Sequence, residues 1–226
     1  MYHIIRFLKY FDQHEYTLLI GSLFLLLVLY PFTIERSVSS VRVHGCISLV
    51  LITGMYAAST FKKFLTVSLF IWWLSFLFLR IEFLTKSETI YLLYIISWLT
   101  LFSFITFNLI RNLIKEERVN TELILGAIAG YLMIGLLSAF IYAFINFFIP
   151  ESITGITTSW LESFPQLIYF SYVNMTTVGY GDMIPITAHA QSRSVISTIS
   201  WQMYLTILIW VIVGKYIRRW SHKNHH

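Results

Sequence analysis

Six long apolar stretches almost free of charge, and a seventh that is short and aromatic, predict an all-α membrane protein. The expected fold has six transmembrane helices, with a re-entrant helix between spans five and six. Of the 226 residues, 57% are hydrophobic and only 12% are charged, whereas soluble domains carry about 25% charged residues. Lipid is therefore the solvent for most of the chain.

Each stretch is long enough at about 1.5 Å rise per residue to cross much of a bilayer. The first expected span is Tyr16–Ile34 and the second Val43–Ser59, the most polar, with His44 and Thr53 inside it. The third is Phe64–Leu84, with Arg80 and Glu82 near its end, and the fourth is Thr89–Ile110, which has no charge. The fifth, Leu123–Ile149, stops at Pro150, and the sixth is Ser194–Tyr216. Arg6 and Lys9 precede the first run as in a signal peptide, but the run is long and no small-residue cleavage site follows it, so a retained span is expected. Cys46, the lone cysteine, reads as a small packed residue within the second span.

Basic residues orient the spans. With the N-terminus inside, the inner segments hold eleven: Arg6, Lys9, Lys62, Lys63, Arg111, Lys115, Arg118, Lys215, Arg218, Arg219 and Lys223. The outer segments hold five: Arg36, Arg42, Arg80, Lys86 and Arg193. That bias places both termini in the cytoplasm of a multi-pass cell-membrane protein. The net charge of +5 is read as topology, and no nucleic-acid partner is expected.

Residues 151–193 join the last two spans on the outside and contain the apolar run Phe164–Val173. Ten residues are too few to cross a bilayer, so this run is expected to enter and return. Irregular backbone at that depth is tolerated only where protein buries it or water lines it.

Directly after it comes Thr176-Thr177-Val178-Gly179-Tyr180-Gly181-Asp182. This run resembles the signature of potassium channels residue for residue, and Tyr169–Thr187 is similar to the pore loop of their bacterial members. The resemblance implies a selectivity filter at Thr177, Val178, Gly179, Tyr180 and Gly181, with K+ held by the carbonyls of Thr177, Val178, Gly179 and Tyr180. The physics agrees with it. Rings of carbonyls replace the hydration shell of the ion, and glycines at alternate positions permit the backbone angles that turn those carbonyls inward. Val178 and Tyr180 are then expected to point outward and pack on the supporting helix. One copy of the motif cannot encircle an ion, so a homotetrameric pore is expected. The resemblance also implies that Asp182 braces the filter through Tyr169, with Thr176 and Val173 as further support. Phe170 stands where the family has a tryptophan, which removes one donor from that support.

The sixth span, through Trp201-Gln202-Met203-Tyr204-Leu205, resembles bacterial pore-lining helices, except that Trp201 stands where those commonly have a glycine hinge. Ile207, Val211 and Gly214, at i, i+4 and i+7, share one face. They are the candidate inner gate, with a lipid-facing or interspan packing role as the alternative. The fourth span lacks the repeated Arg or Lys of a voltage sensor. The expected domains are therefore 1–120, a four-span sensor-like domain without gating charges; 121–217, the pore domain; and 218–226, a short basic tail. His222, His225 and His226, with His3 and His14, read as solvated tail residues. No cytoplasmic ligand-binding domain is expected after the pore.

The expected activity is passive, potassium-selective conduction with weak voltage dependence, without enzymatic activity and without any cofactor beyond the permeant ion. The other readings are a poorly conducting or regulatory subunit, and a component of a potassium transporter. A transporter would need internal or inverted repeats, and an enzyme would need a polar constellation inside the bundle. The sequence has neither.

Overall fold

The computed structural model describes residues 15–29, 31–33, 39–58, 62–85, 87–116, 120–156 and 160–224. His3, His14, His225, His226, Arg6 and Lys9 lie outside the described residues, as do the side chains of Arg218, Arg219 and His222. The described residues form seven α-helices: α1 (Glu15–Leu29), α2 (Ser39–Ala58), α3 (Lys62–Thr85), α4 (Glu88–Lys115), α5 (Thr121–Phe148), α6 (Trp160–Met175) and α7 (Ala188–Asn224). This is the all-α architecture expected of the sequence.

Six of these helices stand where the spans were placed. α4, α5 and the Ala188–Lys215 part of α7 are each long and apolar enough to cross a membrane, while the apolar parts of α1, α2 and α3 are shorter. α1 ends at Leu29 rather than Ile34, and a 3-10 turn begins at Pro31. α7 overruns its expected limits at both ends. Charge marks where lipid ends, but helical hydrogen bonding continues into water, and 37 residues span about 55 Å.

α1 to α4 pack mainly as α1 on α2, α2 on α4, and α3 on α4, and the group docks on α5 through α4 and α1. Hydroxyl pairs join these helices at membrane depth: Ser22 and Thr53 lie 2.8 Å apart, and Ser75 donates to Ser97 at 2.7 Å. Such ties replace the hydrophobic drive that lipid does not supply. An aromatic ladder then carries the packing toward the short helix. Phe102 stacks on Phe140 with centroids 4.9 Å apart, and Phe140 meets Phe164 of α6 at 4.5 Å.

α5 is the seat for α6. The Ser171 hydroxyl donates to Gly135 O at 2.6 Å, Tyr172 Oη to Leu132 O at 2.7 Å and Tyr131 Oη to Met175 O at 3.3 Å. A Cβ at Gly135 would lie 2.7 Å from the Tyr172 ring, so this approach needs glycine. α6 has 16 residues and reaches about 24 Å, short of the bilayer core of about 30 Å.

Candidate functional site

The chain leaves α6 at Met175 under tight local control. Thr176 N donates to Tyr172 O at 3.0 Å, Thr177 N to Asn174 O at 3.0 Å, and Val178 N to Val173 O at 3.2 Å. The Thr176 hydroxyl adds a bond to Tyr172 O at 2.9 Å. The C-terminal carbonyls of α6, among them that of Val173, thus fix the entry angle of the segment that follows.

Thr177, Gly179 and Gly181 have φ of 60°, 54° and 80°. Every second residue is therefore left-handed, and Val178 and Tyr180 between them are not. Two of the three positions are glycines, which adopt this geometry freely. Thr177 is β-branched and held there at a cost of about 1–3 kcal/mol. Strain of that size persists only where the surroundings enforce it, and the bonds from Asn174 and Val173 do so. Within the chain a Cβ at Gly179 or Gly181 would meet nothing within 4 Å.

Asp182 ends the segment. Tyr169 Oη donates to its Oδ2 at 2.7 Å, bringing together two residues on either side of the 177–181 run. The expected packing of Val178 and Tyr180 on the supporting helix is not found within one chain: they are 51% and 71% exposed. Much of each side chain is therefore uncovered within the chain. Phe170 is buried and meets the Tyr142 ring edge-on at 4.9 Å, making it a packing residue toward α5.

α7 runs without interruption through Trp201 and Gly214. Trp201 is 1% exposed, so the residue at the family's hinge position is a packed anchor here. Tyr204 Oη donates to Ala127 O of α5 at 3.0 Å. Ile207 and Val211 line a wholly apolar cavity of about 200 Å³ together with Ile110, Leu113 and Leu123 of α4 and α5. Val211 is half-buried there, while Ile207 keeps 52% of its surface exposed. Gly214 faces open space. At 100° per residue, Gln202, Ile209 and Val213 fall on the opposite face, and all three are exposed.

One residue past Gly214, the Lys215 ammonium donates to Leu113 O at 3.0 Å and Ile114 O at 3.1 Å, and also to Glu116 O. These are terminal carbonyls of α4, which lack helical partners and carry the negative end of the helix dipole. Sequence reasoning placed Lys215 only among the inner basic residues. Nothing in the local pattern says which carbonyls a lysine will reach 100 residues away.

Residues 123–219 match the family model described as "Ion channel". Over 96 residues the chain is 29% identical to the potassium voltage-gated channel protein Shal of Drosophila melanogaster, a segment covering 42% of this chain and 16% of that protein. The chain therefore spans well under two thirds of that relative. No solved structure matches. The family match and the similarity together support a potassium-channel pore family for this part of the chain.

Proposed function

We propose that the chain is one subunit of a homotetrameric, potassium-selective channel that conducts K+ passively across a cell membrane. The observation that carries this reading is the alternation of left-handed backbone at Thr177, Gly179 and Gly181, set directly behind a half-membrane helix. Such alternation turns successive carbonyls of Thr177, Val178, Gly179 and Tyr180 to one side, where four chains supply rings of neutral oxygens in place of water.

Fourfold assembly is supported by what one chain leaves uncovered. Residues 176–182 are all exposed, and backbone that is not helical is tolerated at membrane depth only against protein or water. Neighbouring chains supply the protein on one side, and the pore supplies water on the other. The face of α7 opposite its packing stripe then turns to the axis. Gln202 sits below the filter, and Ile209 and Val213 form an apolar inner constriction that gates by dewetting. The face of Ile207, Val211 and Gly214 is the alternative constriction.

The domain of α1 to α4 is a sensor-like module with no gating charge. α4 carries no basic residue before Arg111, and Arg80 is exposed, its guanidinium 5.3 Å from the Phe76 ring centroid. Both fit headgroup anchors better than moving charges. Single-channel recording from purified protein in planar bilayers tests the reading. Discrete steps carried by K+ are expected, whereas saturable K+ uptake into liposomes without any such steps would contradict it.

A further inference from the structure

The loop after α5 does more than return the chain to α6. α5 ends at Phe148, and the Ser152 hydroxyl, fully buried, donates to Asn146 Oδ1 at 3.2 Å, tying the loop back onto the helix. Ile153 then forms an isolated antiparallel bridge with Pro185, three residues beyond Asp182. Thr154 N donates to Ile184 O at 2.9 Å, and Ile186 N donates to Ser152 O at 3.0 Å. Between those backbone bonds, Ile184 N donates to the Thr154 hydroxyl oxygen at 2.9 Å. Gly155 follows with φ of 76°, so close that a Cβ would lie 3.3 Å from Met183 Cγ and 3.5 Å from Asp182 O.

The other side of the same segment is also fastened. Gln191 Nε2 of α7 donates to Pro185 O at 3.2 Å, and the Thr187 hydroxyl accepts from Ala190 N at 3.4 Å at the start of α7. Residues 183–187 are thus a short strap between the filter and α7, held on one edge by residues 152–155. By contrast, open space surrounds Gly179 and Gly181 within the chain. The outer end of the filter is therefore held by the Tyr169–Asp182 bond on one side and, through the strap, by the loop on the other.

We infer that residues 152–155 are a clamp on the outer end of the filter, and that Thr154 is the positioning residue that keeps the filter in its conducting form. The inference rests on the filter assignment above and adds the residue that regulates it from outside the signature. Thr154 is singled out because the Ile184 N–H is satisfied by its side chain, not by backbone. Losing the hydroxyl removes that tie and leaves the exposed Ile184 N–H to water, while the flanking backbone bonds stay in place. With one tie gone, the strap holds Gly181 and the Tyr180 carbonyl less firmly.

The experiment compares the full chain with Thr154→Val, Thr154→Ser and Gly155→Ala, recording the decay of K+ current at low and high external K+. Thr154→Val should enter the non-conducting state faster by roughly two- to tenfold, the worth of one hydrogen bond. High external K+, by filling the filter, should slow that decay. Thr154→Ser should restore the wild-type rate, and the K+/Na+ permeability ratio measured before decay should not change. Wild-type decay in Thr154→Val, or equal acceleration by Val and Ser, would overturn the inference while leaving the filter assignment intact. If Thr154→Val does not assemble, Gly155→Ala decides: faster decay supports the clamp and an unchanged rate overturns it. A wild-type protein with no K+ current would remove the underlying assignment, and the clamp with it.

Discussion

Tyr169 Oη donates to Asp182 Oδ2 at 2.7 Å, joining the middle of α6 to the residue that follows the last glycine of the filter. The bond joins residues 13 positions apart across the strained segment, so it resists any outward swing of Gly181. A hydrogen bond to a carboxylate is worth about 1.5–3 kcal/mol when protected, and less when water competes. Asp182 is exposed, which sets the effect at the low end. Tyr169→Phe should accelerate current decay by roughly fivefold, with selectivity before decay preserved. A decay rate equal to wild type would remove the brace from the account.

Gly179→Ala separates conformation from packing. A side chain at φ of 54° costs about 1–2 kcal/mol in each chain, and four copies converge on the same ring. Nothing lies within 4 Å of the added methyl in the chain, so folding is expected to survive. The variant should elute as the same assembly as wild type and carry no K+-selective current. Selective conduction by the alanine protein would show that the left-handed turn is not required.

The end of α4 should depend on Lys215. Its ammonium satisfies terminal carbonyls at Leu113 and Ile114, groups that otherwise need water or a cap. In Lys215→Met, amide hydrogen exchange across residues 112–116 should quicken by roughly tenfold, while exchange in the α5 core should hold. Unchanged exchange at the α4 terminus would mean that the lysine is not its cap.

Voltage dependence should be shallow. Each charge moved through the field gains about 2.3 kcal/mol per 100 mV, and no basic residue lies between Glu88 and Ile110. Open probability should vary only weakly over such a range. Arg111→Gln should leave the slope of the conductance–voltage curve unchanged, because Arg111 sits exposed near the end of α4. A steep wild-type curve that flattens in the variant would overturn the sensor-like description.

The helices and two of the left-handed turns were legible in the sequence for different reasons. Apolar runs free of charge mark helices that lipid demands, but they do not fix where those helices end, as at Leu29 and Asn224. The turns at 179 and 181 were legible because left-handed backbone favours glycine, a constraint written in residue type. Thr177 carries no such mark, and its left-handed angle comes from bonds to the end of α6. The orientation of α7 was not legible, because i, i+4 spacing groups Ile207 with Val211 but does not say which neighbour they meet. Thr154 and Ile184 lie 30 positions apart in the loop, and neither is an unusual residue for its place. Their pairing is a property of the folded outer mouth alone.

The central claim is potassium selectivity from unaltered carbonyl rings, and bi-ionic reversal potentials on purified wild-type protein in planar bilayers test it most directly. With K+ on one side and Na+ on the other, the account predicts a reversal potential far from zero, with the sign for K+ permeation, and Rb+ behaving much as K+ does. A reversal potential near zero, meaning equal permeability to Na+ and K+, would contradict it.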